Sequence, residues 1–180
     1  MTYSVDALRE LVQHMEWADA IVWRSVLAHD GARKDARLRN LLTHLHLVQR
    51  LFLMVWRNES LLPIRSFGDF AEIADLRARA TTYYPDARAF LGSLDGTAMT
   101  RPILMPFVAE QEKRLGTKFA EPTLAETIFQ VTSHSTYHRG QVNARLREVG
   151  AEPPLVDYIA WVWFGKPDPD WSLSTVATAG

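Results

Sequence analysis

The chain has 180 residues, 47% of them hydrophobic and 23% charged, enough for one soluble globular domain that buries roughly 70% of its unfolded surface. Twenty Lys and Arg against 21 Asp and Glu leave a formal charge of -1, so no basic field exists to recruit nucleic acid or an anionic membrane. With no cysteine, disulfides, thiolate metal sites, cysteine nucleophiles and iron–sulfur clusters are excluded, and any metal must be held by His, Asp, Glu or carbonyl oxygen.

The first residues carry acids and no long apolar run, unlike a signal peptide, and the longest apolar stretch is far short of a membrane span. A cytoplasmic protein is expected. Helical periodicity then dominates. Residues 4–28 form a first helix opened by Ser4, with an apolar stripe of Val5, Leu8, Val12, Met15, Val22 and Val26. Residues 35–58 form a second, striped by Leu38, Leu41, Leu45, Val48, Phe52 and Val55, and Pro63 stops it. A third begins at Asp69 or Phe70 and runs to Leu94, kinked or interrupted at Pro85. Residues 97–121, with two prolines and a glycine but no helical stripe, read as a long connection holding at most a short hairpin.

The fourth long helix spans residues 124–149, with Thr123 and Glu126 as a capping box and Gly150 as its C-terminal stop. A short fifth helix falls within 155–164, and residues 166–180 read as a flexible tail. The expected architecture is all-α: a four-helix bundle in one domain over residues 1–165, with a long connection before its last helix and a short C-terminal helix.

Six histidines differ in helical phase. His44 lies about 60° from Leu41, on the core stripe, whereas His46 falls about 140° away, towards solvent. His134 and His138 both lie within about 60° of Val131. An i, i+4 pair aims two imidazoles one way, suiting two ligands of one ion, and a third from a facing helix would leave coordination positions open. The alternative is a set of unrelated core or edge histidines. His14, His29 and His46 are expected at the surface. No Glu separates the pair, so the metalloprotease motif is absent. Asp19 interrupts the first helix's apolar stripe, and a buried carboxylate needs a partner: a metal, a ligand histidine to orient, or an arginine.

The segment His134-Ser-Thr-Tyr-His138-Arg139-Gly140-Gln141 closely resembles the HxxxHRGQ signature of the DinB/YfiT-like family of DNA-damage-inducible metalloenzymes. Leu41-Leu42-Thr43-His44, with Arg50 six positions on, resembles that family's second-helix motif, and Trp17-Ala18-Asp19 its Trp-Ala-Asn, with Asp in place of Asn. The resemblance covers about residues 1–165. It implies an antiparallel four-helix bundle, commonly a homodimer, with a divalent metal ion (zinc, nickel or iron) on His44, His134 and His138. Asp19 is then a candidate for orienting a ligand histidine. Arg139 and Gln141 flank the pair and could either line the site or pair at a helix interface.

Relatives of known activity use the metal to activate a small-molecule thiol for attack on an electrophile, so the resemblance implies a thiol-transferase-like enzyme. Because the chain has no cysteine, the thiol must come from outside. A hydrolase using metal-activated water and a non-catalytic, stress-linked metal-binding protein are the alternatives. Neither nucleic acid nor membrane is expected as a partner.

Overall fold

The computed structural model describes residues 3–172. Among them are seven α-helices: α1 (Val5–Ala28), α2 (Asp30–Lys34), α3 (Ala36–Trp56), α4 (Ile73–Gly92), α5 (Val108–Leu115), α6 (Leu124–Glu148) and α7 (Tyr158–Trp163). The cap residues set the boundaries. The Ser4 hydroxyl accepts from the Ala7 N–H, the Asp35 carboxylate from Leu38, and Thr123 with Glu126 closes both bonds of a capping box. Gly150 follows α6 at φ +81°, a conformation few other residues adopt. α4 starts later than its apolar pattern suggests because Glu72 and Asp75 form a second capping box, and it continues through Pro85 without ending.

The connection before α6 is not hairpin-like. It contains α5, whose Glu110 lies near its N-terminus, whose Lys113 and Arg114 lie near its C-terminus, and whose Gly116 ends it at φ +66°. Helix-favouring residues prevail there without an apolar stripe, because α5 buries none of its residues. Of strand pairing, only an isolated bridge between Pro102 and Thr123 occurs among the described residues.

Two apolar clusters reveal the topology. One gathers Leu8 and Met15 from the start of α1, Leu53 and Trp56 from the end of α3, Leu91 from the end of α4 and Leu124 from the start of α6. The other gathers Val26 from the end of α1, Leu38 from the start of α3, Leu76 from the first half of α4 and Leu146 from the end of α6. Hence α1 and α6 run one way and α3 and α4 the other. Both α1 and α3 pack against α4 and α6. The bundle is up-down-down-up rather than simply antiparallel, because residues 57–72 carry the chain back along it. Along that return, a short 3₁₀ turn (Leu62–Ser66) packs on α3. No described helix is long and apolar enough to cross a membrane.

Between the clusters lies a polar layer. Asp19 of α1 accepts from Arg139 of α6 at 2.9 Å, from Gln49 of α3 at 2.8 Å and from the Tyr84 hydroxyl of α4. Gln49 also donates to Ser135 of α6 at 3.1 Å.

Residues 166–172, taken from the sequence as the start of a flexible tail, lie against the bundle, and residues 173–180 fall outside the described region. The Trp171 ring sits 5.6 Å from that of Tyr84, the Arg77 guanidinium lies 5.8 Å from its centroid, and its carbonyl accepts from Arg77. Trp171→Ala should therefore lower stability by about 1–3 kcal/mol, through lost apolar burial and the cation–π contact. Urea unfolding of the two proteins measures this; equal midpoints would mean the docked indole contributes nothing.

Candidate metal centre

The largest helix interface, α3 against α6, carries the three histidines singled out from the sequence. His44, His134 and His138 each offer a ring nitrogen, and these nitrogens lie within 4.8 Å of one another. The ring centroids are 5.2 Å apart for His44 and His134, 4.6 Å for His44 and His138, and 4.3 Å for His134 and His138. The i, i+4 spacing stacks the α6 pair one turn apart, and antiparallel α3 presents His44 beside both.

The cluster does not face the core, as the helical phase of His44 suggested. His44 is exposed and the other two are half-buried, so the set opens at the bundle surface. His46 is the core residue, only 2% exposed. It accepts from Trp23 Nε1–H at 2.9 Å, and its own Nδ1–H donates to Gln49 at 2.8 Å. His14, also expected outside, is buried: its Nε2–H donates to the Val156 carbonyl at 3.0 Å, and its ring packs beside Trp17, Tyr158 and Trp161. His29 is half-buried and caps α2 by accepting from Ala32 N–H.

The residues present suit a borderline metal. Three imidazoles form a nitrogen-donor set appropriate to zinc, nickel or iron, with positions left for other ligands. His134 Nε2 is buried without a hydrogen-bond partner, as a nitrogen reserved for an ion would be. Gln141 Oε1 accepts from His138 Nδ1–H at 2.8 Å, which fixes the tautomer and leaves the Nε2 lone pair free. Burial, together with the neighbouring imidazoles of His138 and His44, pushes the His134 pKa down to about 4. Burial and then His138 also lower that of His44. Neutral imidazole is the form that binds metal.

Asp19 stands apart from this cluster. Its partners are Arg139, Gln49 and Tyr84, and none of the three histidines is among them. The carboxylate and Arg139 side chains are each 2% exposed, so the arginine alternative is the one the structure contains. Of the two residues that flank the pair, Arg139 takes the interface alternative, as the unbalanced acid of α1 signals, and Gln141 takes the site, holding His138 from its i, i+3 position.

Two outcomes follow. Asp19→Asn leaves Arg139 as a buried charge without its counter-ion, so metal-free protein should lose about 3–5 kcal/mol, while the nearly isosteric, still hydrogen-bonding Asn keeps α6 in register and metal affinity changes little. Thermal melts and metal titrations of both proteins test this; a large affinity loss without destabilisation would contradict it. The second outcome concerns acid. His14, His44, His46 and His134 all have lowered folded-state pKa values, so below about pH 6.5 the unfolded chain takes up protons that the native state refuses. Stability of the metal-free protein should fall as pH drops from about 6.5 towards the folded value near 4, and His134→Asn should make that fall shallower. Urea midpoints across this range measure it; an unchanged slope in the variant would count against the His134 shift.

A family model described as the DinB family matches residues 1–168. Comparison with curated proteins and with solved structures returns no match. With that match spanning nearly the whole chain, and with the bundle and histidine cluster described above, the protein belongs to the DinB family.

Proposed function

We propose that the protein is a metal-dependent enzyme in which a divalent cation on His44, His134 and His138 activates a small-molecule thiol for transfer to an electrophile. The observation that carries this reading is the buried, unpartnered Nε2 of His134 within a cluster of three imidazoles that opens to solvent at His44. A cation bound there would lower the pKa of a coordinating thiol, so that thiolate becomes the attacking species.

The chain's own residues hold and orient. Gln141 keeps His138 in the tautomer with a free Nε2 lone pair. The depressed pKa of His134 keeps it neutral near pH 7. The Asp19–Arg139 pair anchors α6 on α1, fixing the direction in which both α6 histidines project. A thiol held there would give its proton to solvent, and its sulfur would bond to the electrophilic carbon as the carbon–leaving-group bond breaks, the leaving group taking that bond's electron pair. For the hydrolytic alternative, the buried acid of α1 offers no general base, because Asp19 is held by Arg139 in the core. The enzyme acts as a homodimer in the cytoplasm; light scattering on the purified protein reads its oligomeric state.

Elemental analysis should find about one zinc, nickel or iron ion per chain, and His138→Ala should reduce it to near none with helical content intact. His46→Ala should keep the metal but melt earlier, since it removes the core partner of Trp23 and Gln49. Full occupancy in His138→Ala would overturn the ligand set. With metal restored, a screen of thiols against electrophiles should show turnover that vanishes in His138→Ala. Turnover of esters or amides alone would favour the hydrolase, and metal without turnover the non-catalytic reading.

A further inference from the structure

Helix α6 turns its histidines towards α3 and its apolar residues into the core, and a third face is left to solvent. Seven residues between Glu126 and Arg147 are exposed, and none is charged. In a chain of which 23% is charged, so long a solvent face would ordinarily carry several charges. Gln130, Ser133, Tyr137, Gly140, Ala144 and Arg147 recur along it every three or four residues, within about 100° of helical phase. That is the pattern by which one helix packs on another.

Tyr137 stands out from this face, 65% exposed. Gly140 leaves a gap in it. Its φ is not positive, and an added Cβ would meet nothing within 4 Å, so neither a turn nor packing inside the chain requires glycine there. Glycine in a helix interior is less stable than alanine. Charge marks only the two ends of the face, Glu126 at one and Arg147 at the other. Arg145 and Glu148 pair with each other and with Asp35 and Arg37, whereas Arg147 forms no ion pair among the described residues. Beside the face runs a cleft of about 670 Å³ between α6, α1 and residues 154–158, with the exposed rings of Phe129 and Tyr158 along it.

We infer that this face is a two-fold interface with a second copy of the chain, α6 lying antiparallel on α6 of the partner subunit. In an antiparallel pair each step forward on one helix is a step back on the other. One register then seats Tyr137 in the gap at the partner's Gly140, sets Ser133 on the partner's Ala144, and brings Gln130 and Glu126 to the partner's Arg147. The two-fold axis makes every contact twice. A parallel pair would instead set Glu126 against Glu126 and Arg147 against Arg147. Phe129 and Tyr158 add apolar area beside the helix seam. Arg147 and Asp157, which also line the cleft, are of opposite sign, so two copies of it do not repel one another. The inference rests on the homodimer reading above and not on the metal chemistry. It also places the interface next to the metal centre, because the Tyr137 ring stands edge-on to that of His138 with centroids 5.1 Å apart.

The absence of native cysteine allows disulfide mapping in the full chain. Positions 133 and 144 are about 16 Å apart on one helix, too far to join within a chain. The double variant Ser133→Cys/Ala144→Cys, oxidised in air with copper phenanthroline, should therefore form a covalent dimer, and either single variant should not. Gly140→Lys, at a position with open space, should keep its helical circular dichroism but raise the dimer dissociation constant at least about tenfold by light scattering. A dimeric parent whose double variant does not cross-link, or a Gly140→Lys protein that dimerises as the parent does, would overturn this interface and leave the homodimer standing. A parent that is monomeric throughout the micromolar range would overturn both.

Discussion

One carboxylate at the middle of the bundle constrains all four long helices. Asp19 rises from α1 and is held by Arg139 of α6, Gln49 of α3 and Tyr84 of α4. Apolar side chains above and below this layer supply most of the driving force, but apolar contact is non-directional and tolerates rotation and sliding. A buried ion pair does not, since any turn of α6 about its axis would strip a charge of its partner. Gln49 extends the constraint by bonding Ser135, so α3 and α6 are in register across the interface where His44 meets His134 and His138. The position of the histidines is therefore a property of the polar layer and exists before any ion arrives.

The extent of the fold that could be read from the sequence follows from the kind of interaction involved. Helix starts at Ser4, Asp35 and Thr123 were visible because a cap is a local event: one side chain, one N–H, a few residues apart. The pairing of α3 with α4 in parallel was not, because it depends on where residues 57–72 travel. The histidine cluster is legible in its i, i+4 spacing and motif, but its exposure is not. Leu41 is a poor reference for the core direction of α3, because it is only half-buried. The buried face of α3 instead runs Leu42, His46, Gln49, Leu53 and Trp56, a stripe of helical period that includes two polar residues. Hydropathy cannot register such a stripe, because His46 and Gln49 earn their burial by hydrogen bonds that exist only in the fold.

The helix α6 serves several neighbours with few large apolar residues. His134 and His138 meet α3, Ser135 and Arg139 enter the polar layer, and Thr136, Gly140 and Asn143 border the cleft beside α1. These positions interleave within about three turns, so a substitution on one face shifts its neighbours on the next. Arg139 belongs to two of these regions at once: one terminal nitrogen is bound to Asp19 inside the layer and the other to Thr136 beside the cleft.

The exposure of His44 has a kinetic consequence. A metal sealed inside a bundle leaves only when helices separate, and its lifetime then tracks unfolding. Here one of the three imidazoles stands in solvent on the flank of α3, so its rotation alone would open the coordination sphere of an ion bound there while the core stays intact. Such side-chain motion takes place in picoseconds to nanoseconds, far below the timescale of helix separation. An ion held at this site would be labile: a chelator could extract it from native protein, and which metal occupies it in a cell would reflect supply as much as affinity.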